Sequence, residues 1–152
     1  LARVIHVSGY EDHDRLSAAR DELSADERAR YHLYAYLHEQ MTDAFVAADL
    51  VVARSGAATL GEFPAAGVPA VLVPYPYAGQ HQRVNAEFMA QRGAAIVLDD
   101  ADLMQRLLPA LRDLLGDRER LAAMRDASRA MAVPQAAENI AQALQDLARG
   151  TS

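Results

Sequence analysis

Short apolar runs alternate with helical patterns along the 152-residue chain. "ARVIHVS" (2–8) reads as a strand, and "YHLYAYL" (31–37) as a second one, rich in β-favouring tyrosine. "DLVVA" (49–53), "PAVLVP" (69–74) and "AAIVL" (94–98) are nearly continuous apolar runs. Helices are predicted between the runs, over 12–24 (polar and exposed), 39–48, 57–66 and 80–93, with Gly93 as the stop of the last. After residue 98 only helices are predicted, over 102–115, 117–131 and 135–148. Asp99 or Asp100 can cap the first of these, and Pro134 suits the first turn of the last. Parallel strands buried on both faces lose the polar alternation of exposed ones, and strands alternating with helices give such a sheet. The predicted fold is therefore α/β, a Rossmann-like open parallel sheet with helices on both faces. Ligands of these sheets bind outside the carboxyl ends of the strands. That points to the loops after residues 8, 37, 53, 74 and 98.

The length allows one domain with a real core. A formal net charge of −6 argues against a nucleic-acid partner and against electrostatic docking of this chain on anionic lipid. Without cysteine there are no disulfides, zinc knuckles or thiol catalysis, which fits a cytoplasmic chain. No apolar run approaches the roughly 18 residues of a membrane span, and no signal peptide is visible. The chain runs from Leu1 almost at once into strand pattern, as a piece of a longer protein would.

Three stretches carry candidate chemistry. In "RSGAATLGE" (54–62), Gly56 permits an unusual backbone angle or a close backbone approach. Ala57 and Ala58 leave a helix start uncrowded, where free N–H groups and the helix dipole attract an anion such as phosphate. Thr59 can add a hydroxyl. Glu62 lies one turn on and can accept two hydrogen bonds from a vicinal diol. The same residues also make an ordinary strand–helix turn, and spacing alone leaves both readings open. In "VPYPYAGQHQRVNAEF" (73–88), Gln80, His81, Gln82 and Asn85 suit sugar hydroxyls, although a solvated helix start explains them as simply. In "YAYLHEQ" (34–40) the backbone can meet a flat base edge with Leu37 packing on the ring, or the stretch is a plain strand exit. No His/Asp/Glu set has metal-ligand spacing, and no nucleophile motif is present.

Taken together, "ADLVVARSGAATLGEFPAAGVPAVLVPYPYAGQHQRVNAEFMAQRGAAIVLDDADL" (48–103) resembles the carboxy-terminal, donor-binding half of MurG-type glycosyltransferases. Weaker similarity reaches back through "RVIHVSG" and forward into the final helices. The resemblance implies half of a GT-B enzyme that moves N-acetylglucosamine from UDP-GlcNAc to lipid I, forming lipid II for peptidoglycan. It implies that Glu62 binds the ribose hydroxyls, that Ala57, Ala58 and Thr59 hold phosphate, and that His81 and Gln82 contact the donor sugar. Leu37 and His38 would face uracil, and Arg54, Ser55 and Gly56 match the family turn. No cofactor or metal is implied, and the catalytic base is expected in another domain.

The sequence departs from the family at His81, where many relatives carry Gln, and at His38, usually aliphatic. It also departs at Pro64, which should kink the helix or remove a bond and so disturbs its far end. The family's Gly-Gly-Ser-x-Gly-Ala loop, with its strand and helix, and the acceptor domain are expected before Leu1. Residues 1–152 are thus expected to be one incomplete UDP-sugar domain, inactive alone, whose lipid-linked acceptor is met through the other domain. The full enzyme is expected at the inner face of the cell membrane. Alternatives are another GT-B transferase with a different sugar or acceptor, a non-catalytic UDP-binding module, or an α/β domain without ligand.

Overall fold

A computed structural model of the chain describes residues 2–77 and 80–150. Ala78 and Gly79, in the middle of the loop read above as a candidate sugar contact, lie outside the described residues. The chain divides into two compact units, Leu1–Ala44 and Phe45–Ser152. Among the described residues, no helix is long and apolar enough to cross a membrane.

The first unit pairs two parallel strands, β1 (Val4–Val7) and β2 (Tyr31–Tyr34), in a register from Val4↔Tyr31 to Val7↔Tyr34. A parallel pair needs a crossover, and two helices supply it, α1 (Tyr10–Asp21) and α2 (Ala25–Arg28). The single helix expected over 12–24 therefore starts earlier and breaks. Ser24 interrupts it as the first member of a capping box. Its Oγ accepts from the Glu27 N–H at 3.3 Å while Glu27 Oε2 accepts from the Ser24 N–H at 3.0 Å. The Ser24 hydroxyl and backbone N–H hold the Glu27 carboxyl below its usual range. The strand expected over 31–37 stops at Tyr34, where its partner β1 ends, and Leu37 beyond it is buried.

The second unit holds β3 (Val51–Ala53), β4 (Ala70–Leu72) and β5 (Ala95–Val97), parallel and in sequential order. Crossovers are α4 (Thr59–Ala66) and α5 (His81–Gln91). The helix α3 (Met41–Ala47) runs across the division between units. The strands are shorter than the apolar runs because each flanking residue gives only one more bond, such as Val51 N–H to Pro69 O and Val73 N–H to Ala53 O. Pro69 and Pro74 bring no N–H to extend the ladder. The expected open sheet is realised as two ladders, and β2 and β3, consecutive in the chain, are not partners.

Strand β4 is the centre of the second unit, and every residue of it is buried. Ala70 and Leu72 face one cluster with Phe63, Val68, Ala86 and Met89. Val71 and Val73 face another with Leu98, Leu114 and Met124. The second cluster is closed by α6 (Leu103–Gly116) and α7 (Arg118–Ala130), which follow a short 3-10 turn, Asp100–Asp102. The last helix, α8 (Ala136–Ala148), has no buried residue. Pro134 precedes it outside the helix instead of sitting in its first turn, with Gln135 as N-cap.

Two helices return to the sheet in the same way. After α4, Gly67 takes φ +63°, its N–H bonds to Pro64 O at 2.9 Å, and the Val68 N–H bonds to Phe63 O at 3.0 Å. After α5, Gly93 takes φ +79°, with Gly93 N–H to Ala90 O at 2.9 Å and Ala94 N–H to Met89 O at 3.0 Å. Both are Schellman closures, in which a left-handed glycine satisfies the last carbonyls. Pro64 thus leaves the end of α4 intact. The helix runs through it to Ala66, and the expected disturbance is confined to one missing N–H. The buried Ser128 hydroxyl reaches the Phe63 and Val68 carbonyls at 3.2 and 3.1 Å and secures this closure from α7.

Two outcomes follow. Gly61→Ala, at a helical position with open space beyond it, should raise stability by about 0.5–1 kcal/mol, whereas Gly67→Ala should lower it by about 1 kcal/mol or more, both read from urea midpoints. NMR titration should place Glu27 below the ordinary glutamate midpoint and return it there in Ser24→Ala. A depressed carboxyl pKa stabilises above the unfolded value, so this capping contribution should fade as pH falls through the folded-state midpoint of Glu27.

Candidate functional site

The loops leaving β3, β4 and β5 are laced together at the carboxyl edge of the sheet. Arg54, the first residue past β3, forms an ion pair with Asp100 past β5. Its Nη1 lies 3.4 Å from the Val73 carbonyl past β4, and its guanidinium stands 5.2 Å from the centre of the Tyr75 ring. Arg83 of α5 pairs with Asp99, and that hydrogen bond and charge raise the guanidinium pKa further. The two aspartates expected as helix caps are therefore counter-ions, and the 3-10 turn that follows has no side-chain cap. Arg54, expected among the substrate contacts, has its guanidinium directed at the frame.

Ser55 is fully buried. Its Oγ donates to the Gln82 carbonyl at 2.7 Å, and its own carbonyl accepts from Asn85 Nδ2 at 3.0 Å. This reciprocal clasp ties the turn before α4 to the first turns of α5. The side chains of Ser55 and Asn85, expected to touch substrate, are used to set that spacing. Gln82 is divided: its Oε1 accepts from the Tyr75 N–H at 2.9 Å. Its amide NH2 has no partner among the described residues.

The start of α4 holds the groups left over. Thr59 Oγ1 donates to the Gly56 carbonyl at 2.6 Å and is buried, so the hydroxyl expected to meet an anion is held within the turn. Gly56 does not use a left-handed backbone, and a Cβ there would meet nothing within 4 Å. The N–H groups of Gly56, Ala57 and Ala58 have no partner among the described residues. Glu62 is exposed, and its carboxylate has none either. His81 is the first residue of α5, exposed and equally free among the described residues. Three backbone donors, a carboxylate and an imidazole thus stand at two helix starts that Ser55 fastens together.

In the first unit Leu37 is buried, 5% exposed. His38 is exposed and packs edge-on against Tyr36, with ring centres 4.8 Å apart. Tyr36 had no assigned role in the sequence, where a tyrosine at a strand exit reads as β-propensity. Among the described residues no group of three or more His, Asp and Glu side chains converges as metal ligands would.

The profile of the glycosyltransferase family 28 C-terminal domain matches residues 2–140. A relative from Roseiflexus sp. (strain RS-1), named UDP-N-acetylglucosamine--N-acetylmuramyl-(pentapeptide) pyrophosphoryl-undecaprenol N-acetylglucosamine transferase, is 43% identical over 97% of this chain and 38% of its own length. A relative of the same name from Halorhodospira halophila is 52% identical over 74% of this chain and 32% of its own length. Among solved structures, MurG of Acinetobacter baumannii superposes with a TM-score of 0.78 at 32% identity, covering 95% of this chain and 41% of that one. The chain thus spans less than half the length of these relatives.

Frame and free groups should separate by mutation. Ser55→Ala should lower stability by about 1–2 kcal/mol, because it removes the hydrogen bond of a fully buried side chain to the Gln82 carbonyl. Glu62→Ala, at an exposed carboxylate, should stay within about 0.5 kcal/mol of wild type in the same denaturant titration.

Proposed function

The chain belongs to the glycosyltransferase family 28 C-terminal domain family, and from that footing we propose that it is the donor-binding part of a transferase that takes N-acetylglucosamine from UDP-GlcNAc and passes it to lipid I, forming lipid II. The observation that carries this reading is the free carboxylate of Glu62 one turn beyond the unpartnered N–H groups of Gly56, Ala57 and Ala58. A diol acceptor and an anion donor lie together at one helix start, as a ribose and a phosphate require.

In the proposed arrangement Glu62 accepts both ribose hydroxyls. The start of α4 holds the diphosphate through its backbone N–H groups. His81 and the free amide of Gln82 meet the hexose, and the backbone at Leu37 and His38 meets the base edge. The reaction is an inverting displacement: the acceptor hydroxyl attacks the sugar C1, the C1–O bond to the diphosphate breaks, and UDP leaves. Fixed N–H groups and the helix dipole stabilise the charge growing on the leaving diphosphate without reorganising. The step as proposed uses no metal and no cofactor. Attack geometry requires both reactants to be held, so the acceptor and the proton-accepting base are assigned to the acceptor domain of the full-length protein. That assignment puts the lipid-linked substrate and the membrane face on the other domain.

Calorimetry with UDP tests the reading. Wild-type chain should bind, and Glu62→Ala should weaken binding by about 1–3 kcal/mol, the loss of charged hydrogen bonds to a diol. Unchanged affinity in Glu62→Ala would remove the ribose assignment.

A further inference from the structure

Arg54 grips both residues that flank Pro74 at the exit of β4, all within the second unit. Its Nη1 lies 3.4 Å from the Val73 carbonyl, and its guanidinium stands 5.2 Å from the centre of the Tyr75 ring. The Tyr77 ring meets the Tyr75 ring edge-on, with centres 5.6 Å apart. Pro74 is buried, and its own ring fixes φ. With both neighbours of the proline held, the Tyr75 N–H has a set direction, and it donates to Gln82 Oε1 at 2.9 Å. A backbone N–H can only donate, so the amide atom that meets it must be the oxygen. The other end of the Gln82 amide is then the NH2, and Gln82 presents a donor and not an acceptor. Its backbone is held as well, since its carbonyl accepts from the buried Ser55 hydroxyl at 2.7 Å.

We propose that Tyr75, held by Arg54, is a positioning residue that fixes the Gln82 amide with its NH2 toward the donor hexose, so that the sugar atom met there is an acceptor, a hydroxyl or carbonyl oxygen. This deepens the donor-binding reading and rests on it. Tyr75 and Arg54 do not touch the ligand in this arrangement and act only through Gln82. A guanidinium suits the task, because one planar group meets a carboxylate, a carbonyl and a ring face together, which an ammonium does not do.

Affinities for UDP-GlcNAc and for UDP, measured by calorimetry on the same variant, isolate the sugar contact as a ratio. Gln82→Ala should shift that ratio against the sugar nucleotide by about three- to tenfold, the loss of one neutral hydrogen bond. Gln82→Glu should shift it at least as far, because a carboxylate still accepts from the Tyr75 N–H but donates nothing. Tyr75→Leu should shift it in the same direction while UDP affinity changes by less than about twofold. Arg54→Lys, which keeps a charge for Asp100 but not the planar group against the ring, should do likewise. Tyr75→Phe, which keeps the ring face, should keep the wild-type ratio. In a Gln82→Ala background Tyr75→Leu should have no further effect on the ratio, since a residue acting through Gln82 has lost its route there. An unchanged ratio in Tyr75→Leu, or an equal shift by Tyr75→Leu with and without Gln82, would overturn this inference and leave UDP binding intact. A wild-type ratio in Gln82→Glu or Gln82→Ala would do the same. Absence of UDP binding by wild type would instead remove the donor-binding reading.

Discussion

The candidate site depends on one buried serine. The fully buried Ser55 donates its hydroxyl to the Gln82 carbonyl, and its own carbonyl accepts from the Asn85 amide. Two helix starts, one of them with unpartnered backbone donors, are held together by that exchange. The surface ion pairs of Arg54 and Arg83 add orientation more than stability, since exposed pairs of this kind contribute little net energy. What the salt bridges and the clasp share is direction: they draw the loops past β3, β4 and β5 toward one another and leave Glu62 and His81 outside.

The fold was legible where a physical signal was local. Apolar runs marked β3, β4 and β5, and most clearly β4, which is paired on both sides and buried at every residue. Gly93 marked a helix end because only glycine takes its backbone angle at no cost. Signals that depend on partners were not legible. Asp99 and Asp100 look like caps in sequence, and arginines 16 and 46 residues distant turn them into counter-ions. Pro64 looks like a breaker, but it falls so near the helix end that the closure at Gly67 makes up the bonding. The break between α1 and α2 was within reach, because "SADE" is a capping-box pattern, but it was hidden by the continuous polarity of 12–24.

The site divides along the same line. The residues matching the family turn were all found in the sequence, and the structure sorts them into two kinds. Arg54, Ser55, Thr59 and Asn85 direct side-chain groups into the frame; Glu62, His81 and half of Gln82 keep theirs free. Motif spacing cannot make that distinction, since a buried hydroxyl and a ligand-facing one are the same letter. The exposure of Tyr36 and the burial of Leu37 are invisible for a related reason. Alternation in a strand predicts opposite faces but not which face is covered once the strand has ended.

The paired glycine closures have a consequence for how the second unit assembles. Only a few residues separate the end of α4 from β4, and the end of α5 from β5. Little chain entropy is therefore spent in closing each helix back onto the sheet. Parallel sheets generally fold slowly because their pairings are distant in sequence. Here each strand is delivered to its neighbour by one helix with a fixed exit angle, so the parallel ladder can grow by successive local steps. The longer connections, after β3 and β4, leave from the opposite, carboxyl edge, so the segments that carry the candidate site are not the ones that deliver the strands.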